Sequence, residues 1–531
     1  MSELIKVNKS ADHPFRKAAA VGLMLMTLCG GAGAASPTSG EKVTPGLCEA
    51  VEGLSSLEVV PVWIFFRGDG RGLREYPAPA APGEVSARSE ERVSRRGAPG
   101  AGSGNFRPPR SEYLRSISDH VQRIRYISKY LNAVSAEVRV GDIAGLASLD
   151  AVTRIQPLRR FVRGPETAPG RAVSGDVTGG LEDPWFTKYG PSLDQLAMTR
   201  SSDLLEMGYN GSGMTGGGPP VIICIMDTGF ELTHEAFSRL DVLIQYDFVD
   251  FDSVTAQEPG DFPGQSKHGT TVLGSIGGYH EGDLIGPAWG ASYILAKTEI
   301  EGQEIILEED KWIAALEWAD SIGTDIVTTS VGYLNWYSTE DLDGNTALIT
   351  VAADIAASRG ITVVAAMGNY GWNGETSMIA PADGDSVISV GAVNRYGDIA
   401  NFSSRGPTAD GRIKPDVVGM GMEVVSVAYD SPSGYSRYNG TSYATPLIAG
   451  LCAQILEVHP GWSPAELADS LRASASRSGS PDNTYGWGLP DGLAAAGLED
   501  GGVLETPYFA IGHPNPFTDN IMFHVFMPEW E

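Results

Sequence analysis

Five nearly unbroken apolar runs mark the second half of this chain: VIICIMD (221–227), SYILAKT (292–298), DIVTTSVG (325–332), ITVVAAMGN (361–369) and VISVGAV (387–393). A strand with one wet face alternates apolar and polar residues. A run without alternation predicts a strand buried on both faces, the habit of parallel sheets. Between the runs lie KWIAALEWADSIG and NTALITVAADIAASRG, which predict helices. The expected fold is therefore α/β, a doubly wound, mostly parallel sheet with helices on both faces. KHGTTVLGSIGG, apolar at 272, 273 and 276, predicts a short buried helix, and TSYATPLIAGLCAQILEV a long one.

The pattern upstream is different. VVPVWIFF (59–66), AVSAEVRV (133–140) and AVTRIQPL predict strands. SEYLRSISDHVQRIRYISKYL (111–131) is apolar at 114, 117, 121, 124, 127 and 131, spacing that predicts one helix. DIAGLASL predicts a short helix with Asp142 as its cap. Residues 76–106, rich in Pro, Ala, Gly, Ser and Arg, predict a mobile loop. Together these divide the chain into a small α+β domain over 35–165, a linker over 166–180 and a large body over 181–497. The final piece, from about 505, begins like a β-domain.

Before all of these, Lys6, Lys9, Arg16 and Lys17 precede the apolar run AAAVGLMLMTLCGGAGA, with small residues at 32–34. That order predicts a signal peptide over 1–34 and a secreted protein, extracellular or at the cell surface. Cys224 and Cys452 lie within apolar runs and are expected to be small core residues. The net charge of −28 over 531 residues is unevenly spread. Residues 36–175 carry 20 Lys and Arg against 15 Asp and Glu, whereas from 176 onward 14 face 49. So acidic a body repels phosphate, which excludes nucleic acid as a partner.

In open α/β sheets chemistry gathers beyond the carboxyl ends of the strands. Asp227 and Asn369 close two of the apolar runs, and Ser330 lies near the end of a third. His268 and Ser442 open the two buried helices. A serine hydroxyl attacks well only when a base takes its proton, a histidine supplies that base near neutrality, and an aspartate fixes the imidazole. The chain order Asp, His, Ser is one of the three known orders for this constellation. IMDTGFELTH, HGTTVLG, AAMGNYG, FSSRGPTADGRIKPDV and NGTSYATPLIAG together resemble the signature blocks of the subtilisin-like serine peptidases, across roughly 181–497.

The resemblance implies a secreted serine endopeptidase acting on polypeptides. It implies Asp227, His268 and Ser442 as catalytic residues, with Asn369 and the Ser442 N–H as donors to the oxyanion. It further implies that Ser330, Val331, Gly332, Ala366, Met367 and Gly368 line the pocket before the scissile bond and pair with substrate as an added strand. Tyr370 and Met367 would make that pocket apolar, and Glu299, Glu301 and Glu304 would rim it with negative charge. The front domain resembles the propeptides of secreted bacterial subtilases, an intramolecular inhibitor whose basic charge suits the acidic body. GHPNPFTDNIMFHVFMP resembles the start of C-terminal domains that engage secretion or anchoring machinery in some Gram-negative bacteria. No cofactor is required and no metal is assigned. The acidic clusters YDFVDFD (246–252) and EIILEED (304–310) are better read as a solvated face and as helix-dipole complementarity than as calcium sites, structural calcium staying possible but unassigned.

Other chemistries fit less well. An aspartic peptidase would need a second Asp-Thr/Ser-Gly beside Asp227-Thr228-Gly229, and none is present. An esterase elbow would need glycine where Ala444 stands, with its Asp and His downstream. Acid-acting relatives carry glutamate in place of His268. The alternative from another class is an inactive surface or adhesion protein on the same fold.

Overall fold

The computed structural model describes residues 42–68, 83–98, 108–158, 160–161, 184–300, 307–332 and 337–499. The expected signal peptide, linker and C-terminal β-domain lie outside them. By internal contacts the described residues divide into two compact units. One draws on stretches of 1–80, 103–160 and 308–317; the other draws on 81–102, 161–307 and 318–531.

The smaller unit is built β-α-β-β-α-β. Strands β1 (Val59–Phe66), β2 (Arg123–Ser128), β3 (Ala133–Arg139) and β4 (Val152–Pro157) form an antiparallel sheet in the order β2-β3-β1-β4. Val62, Ile64, Phe66, Val134 and Ala136 bury one face against Leu114, Ile117, Ile143 and Leu146 of the two short helices Ser111–Ile117 and Ile143–Ser148. Within this unit, Trp63 Nε1 donates to Glu309 Oε1 (3.1 Å) and Arg125 Nε to Asp310 Oδ2 (2.7 Å). Glu309 and Asp310 stand in the first turn of helix Glu309–Ile322, as helix-dipole complementarity requires, and are also buried and paired.

Two expectations for this region need correction. The helix expected over 111–131 stops at Ile117, and 123–128 is strand β2. A bulge between Ile124 and Tyr126 shifts the β2–β3 register, so Ile124 faces Ala136 and Ile127 faces Val134. The extra residue sets two partner-facing apolar side chains three apart, which imitates helical spacing. Asp142 is not a side-chain cap; it ends a 3₁₀ turn in helical conformation (φ −95°, ψ −12°) and makes no capping bond.

The larger unit carries the expected sheet. Its strands are β5 (Ile222–Asp227), β6 (Asp241–Asp247), β7 (Ser292–Lys297), β8 (Ile326–Thr329), β9 (Thr362–Ala366), β10 (Val387–Val393) and β11 (Val417–Met420). They lie in the order β11-β10-β9-β8-β5-β7-β6, every adjacent pair parallel. On one face Ile223, Ile225, Leu295, Ile326, Val364 and Val390 pack with Val272, Leu273 and Ile276 of helix Lys267–Gly277 and Ile448 and Cys452 of helix Thr441–Val458. Helix Leu348–Ser358 packs against β9 and β10. The chain runs from β5 out to β6 and β7, then returns to lay β8 on the other side of β5. That reversal opens a crevice at the carboxyl ends of β5 and β8.

Segment 76–106 is not simply a loop, because Gly83–Arg96 is helical and belongs to the larger unit. Its inward face is made of arginines, so no apolar stripe announced it.

One buried carboxylate of this unit is paired with two cations. Asp416, just before β11, accepts from Lys414 Nζ (2.8 Å), Arg472 Nε (3.0 Å), and the N–H and hydroxyl of Ser389 on β10 (2.8 and 2.9 Å). Burial raises its carboxyl, but Lys414 and Arg472 outweigh that and bring it down to about 2. A folded value below the unfolded one makes this contribution complete above about pH 4 and lost as pH falls through 2. Asp416→Asn leaves Lys414 buried without its counter-charge and is expected to cost about 3–5 kcal/mol. Urea denaturation at pH 7 measures the loss, and the mutant's deficit should shrink on acidification toward pH 2.

Candidate active site

Asp227 is the last residue of β5, buried at the mouth of the crevice. Its Oδ1 accepts from the Thr228 N–H (2.7 Å) and lies 2.7 Å from His268 Nδ1. His268 is the second residue of helix Lys267–Gly277, and Gly269 brings that helix close enough for the contact. A Cβ at Gly269 would stand 2.3 Å from the Gly229 carbonyl and 3.1 Å from Asp227 Cβ. The Gly269 N–H also donates to Thr228 Oγ1 (3.2 Å), tying the helix start to the strand end.

Ser442 is the second residue of helix Thr441–Val458, which packs along helix Lys267–Gly277. Its N–H is therefore among the first four of the helix, which have no partner inside it. Four residues on, Pro446 has no N–H to give the Ser442 carbonyl. The Ser330 hydroxyl donates to that carbonyl instead (2.8 Å), and Ser442 Oγ donates to the Ser330 carbonyl (3.2 Å). The reciprocal pair pins the serine to the end of β8. Tyr443 turns the other way, its hydroxyl 3.0 Å from Thr271 Oγ1 and its ring stacked on Tyr438.

Asn369 follows β9. Its Oδ1 accepts from both the N–H and the hydroxyl of Thr441 (2.9 and 3.1 Å). With the oxygen so held, the amide nitrogen is the end left over, on the Gly440 side, 3.5 Å from where a Cβ of Gly440 would lie. The structure thus brings Asp227 to His268, Ser442 to Ser330 and Asn369 to the start of the serine helix. Sequence reasoning missed Thr441 and Pro446. A proline inside an otherwise helical pattern was the available signal, because it frees a carbonyl four residues back.

Ser330–Gly332 follows β8, and Ala366–Gly368 begins on the last residue of its neighbour β9. The second segment has no free edge for an added strand. Met367 N–H donates to Val390 O, Met367 O accepts from Ile379 N–H (each 3.1 Å), and Gly368 N–H donates to Thr441 Oγ1 (3.2 Å). Met367 is also wholly buried, so it does not face an open pocket; Tyr370 is half-buried. Glu299 is 2 % exposed rather than a rim residue. It lies two residues past β7, and Gln265 Nε2 donates to its carbonyl (2.6 Å), drawing the chain inward. Glu301 and Glu304 lie outside the described residues.

Among the described residues one group has metal-ligand spacing, Asp247, Asp252 and Glu258, with carboxylate oxygens within 4.8 Å of one another. The buried Lys297 ammonium stands 2.7 Å from Asp247 and 3.1 Å from Asp261, already placing positive charge there.

Comparison with known proteins agrees with this fold. The profile of the subtilase family of peptidases matches residues 218–488. Subtilisin E of Bacillus subtilis is 34% identical over 306 residues, covering 57% of this chain and 70% of that protein. Subtilisin of Bacillus pumilus is 34% identical over the same length, covering 97% of it. Among solved structures, fervidolysin from Fervidobacterium pennivorans, a keratinolytic enzyme related to subtilisin, aligns with a TM-score of 0.54 at 20% identity. That alignment covers 83% of this chain and 61% of fervidolysin, and speaks to the fold. The chain belongs to the subtilase family and is a subtilisin-like serine endopeptidase.

Proposed function

We propose that Ser442 is the nucleophile, His268 its general base, Asp227 the group that orients and stabilises the imidazolium, and Asn369 with the Ser442 N–H the oxyanion donors. The observation that carries this reading is the 2.7 Å contact between Asp227 Oδ1 and His268 Nδ1. A proton held on Nδ1 leaves Nε2 as the basic nitrogen. The serine loses its proton to that nitrogen as it attacks the scissile carbonyl. Charge then develops on the carbonyl oxygen, where an oriented amide and a helix N-terminus stabilise it more than they stabilise the substrate. An inactive adhesion protein would have no need of so specific an arrangement. Ser442→Ala is expected to abolish peptide hydrolysis while leaving the fold and melting temperature nearly unchanged. Labelling by a fluorophosphonate in the wild type and not in the mutant is the direct check.

Asn369→Ala is expected to lower kcat by about 10²–10³, the magnitude known for removing one such donor in a subtilisin. KM should hardly move, because the donor matters once charge has developed. A mutant altered only in KM would make Asn369 a ground-state contact.

The protein is further read as a secreted zymogen whose front domain inhibits it. Support comes from the leader's charge and apolar order and from the contrast between basic front and acidic body. Residues 36–175 expressed alone are expected to inhibit the mature peptidase, less so as salt rises and screens the attraction. Inhibition assays in 0.05 and 0.5 M salt, about a threefold change in Debye length, test this. No inhibition at either concentration would remove the inhibitor role.

A further inference from the structure

The helix Gly83–Arg96 carries arginines at 88, 92 and 96, one per turn on one face. Its partners all lie in the larger unit, at the end of the sheet away from Asp227, Ser330 and Asn369. Arg92 is 1 % exposed. Its guanidinium donates to the carbonyls of Thr324 (2.7 Å) and Arg359 (3.2 Å) and to the carboxylate of Asp320, itself fully buried. Arg96, also buried, donates to Asp325 Oδ1 (2.9 Å), the Trp462 carbonyl (2.8 Å) and Thr362 Oγ1 (3.3 Å). Arg88, 24 % exposed in its side chain, reaches Asp325 Oδ2 and the Pro220 carbonyl (each 2.7 Å). Beyond the helix, the Ala98 N–H donates to the Ser358 carbonyl (2.7 Å).

Among these acceptors, Asp320 and the carbonyls of Thr324, Ser358 and Arg359 lie at or just past two helix ends. Helix Glu309–Ile322 and helix Leu348–Ser358 both end here, and a helix's last carbonyls have no partner inside it and carry its negative dipole end. Gly323 and Gly360, just past those ends, have φ of +103° and +86°. A Cβ at Gly323 would meet Arg88 Cβ and the Ser89 N–H at 3.0 Å, and one at Gly360 would meet Arg96 Cβ at 2.9 Å. Both glycines therefore end a helix and make the floor on which the arginine helix lies. Burial pushes the Arg96 guanidinium down to about 10, with Asp325 opposing the fall, so seating it has a desolvation cost that the acceptors must offset.

We propose that this groove is a dedicated docking site for a helix of the form Arg-x3-Arg-x3-Arg, and that residues 83–98, although embedded in the front part of the sequence, are its resident ligand and a working part of the peptidase unit. The site recognises three guanidinium forks rather than charge alone, because Arg92 divides its donors among two carbonyls and a carboxylate that a single ammonium could not span. Deleting the whole front region would strip Asp320 and Asp325 of these partners, whatever it does at the active site.

The test uses the full chain carrying Ser442→Ala, to prevent self-digestion, and its readouts are melting and binding rather than turnover. A failure of the catalytic reading would leave them unaffected. Arg92→Ala/Arg96→Ala is expected to lower Tm by about 6 °C or more. The fall should persist in 0.5 M salt, since buried pairs are poorly screened. A fluorescent peptide of residues 83–98 should bind this variant and raise its Tm, but not bind the chain whose own helix fills the groove. The same peptide with Arg92→Lys should restore less. A double variant that melts like its parent, or a peptide that binds both chains alike or neither, overturns the proposal. Should the double variant fail to fold, the milder Arg88→Ala must still lower Tm, and an unchanged value there overturns it equally.

Discussion

The close approach of helix Lys267–Gly277 to the end of β5 is the constraint on which the rest of the site hangs. Here the imidazole meets the carboxylate at 2.7 Å with the two backbones nearer than a side chain at 269 would allow, and Gly269 removes the obstacle. Everything else registers on that contact. The serine helix packs along the histidine helix, Tyr443 fixes their relative height through Thr271, and Thr441 carries the alignment across to Asn369. The four polar side chains come from four different elements, yet each is held by a bond to the backbone or side chain of another.

The parallel sheet also sorts electrostatics between its two ends. Helices that follow parallel strands begin at the strands' carboxyl ends and finish at their amino ends, so their dipoles align. At one end lies the N-terminus of the serine helix, the positive end of its dipole. At the other, the finished helices present carbonyls, and Asp320 and Asp325 add full negative charge, which the arginine helix meets. One architectural rule thus makes an anion-favouring end and a cation-favouring end in the same unit. Three of the buried carboxylates of this chain of net charge −28, Asp320, Asp325 and Asp416, each face arginine or lysine.

Much of the sheet was legible because burial on both faces leaves an unmistakable run of apolar residues, and VISVGAV became a strand with the same ends as the run. The arginine helix was not legible, because its buried face is polar and the pattern of apolar positions is blind to it. The strand 123–128 was misread as helix because a bulge changed the spacing of its apolar residues from two to three. Met367 and Glu299 looked like pocket and rim from their sequence neighbours. Backbone bonds to Val390 and Ile379, and the inward turn after β7, put both out of reach.

By itself the sequence determined the α/β class, the order of the strands along the chain and the residue types that point to serine chemistry, since these follow from periodicity and from what each side chain can do. Only the tertiary structure decided which groups meet. That Ser330 replaces the N–H that Pro446 lacks, that Thr441 turns the Asn369 amide, and that Arg92 finds Asp320 across 228 residues all depend on contacts between distant segments. Local sequence sets what a residue can bond to. The packing of the sheet and its helices sets whether the partner is there.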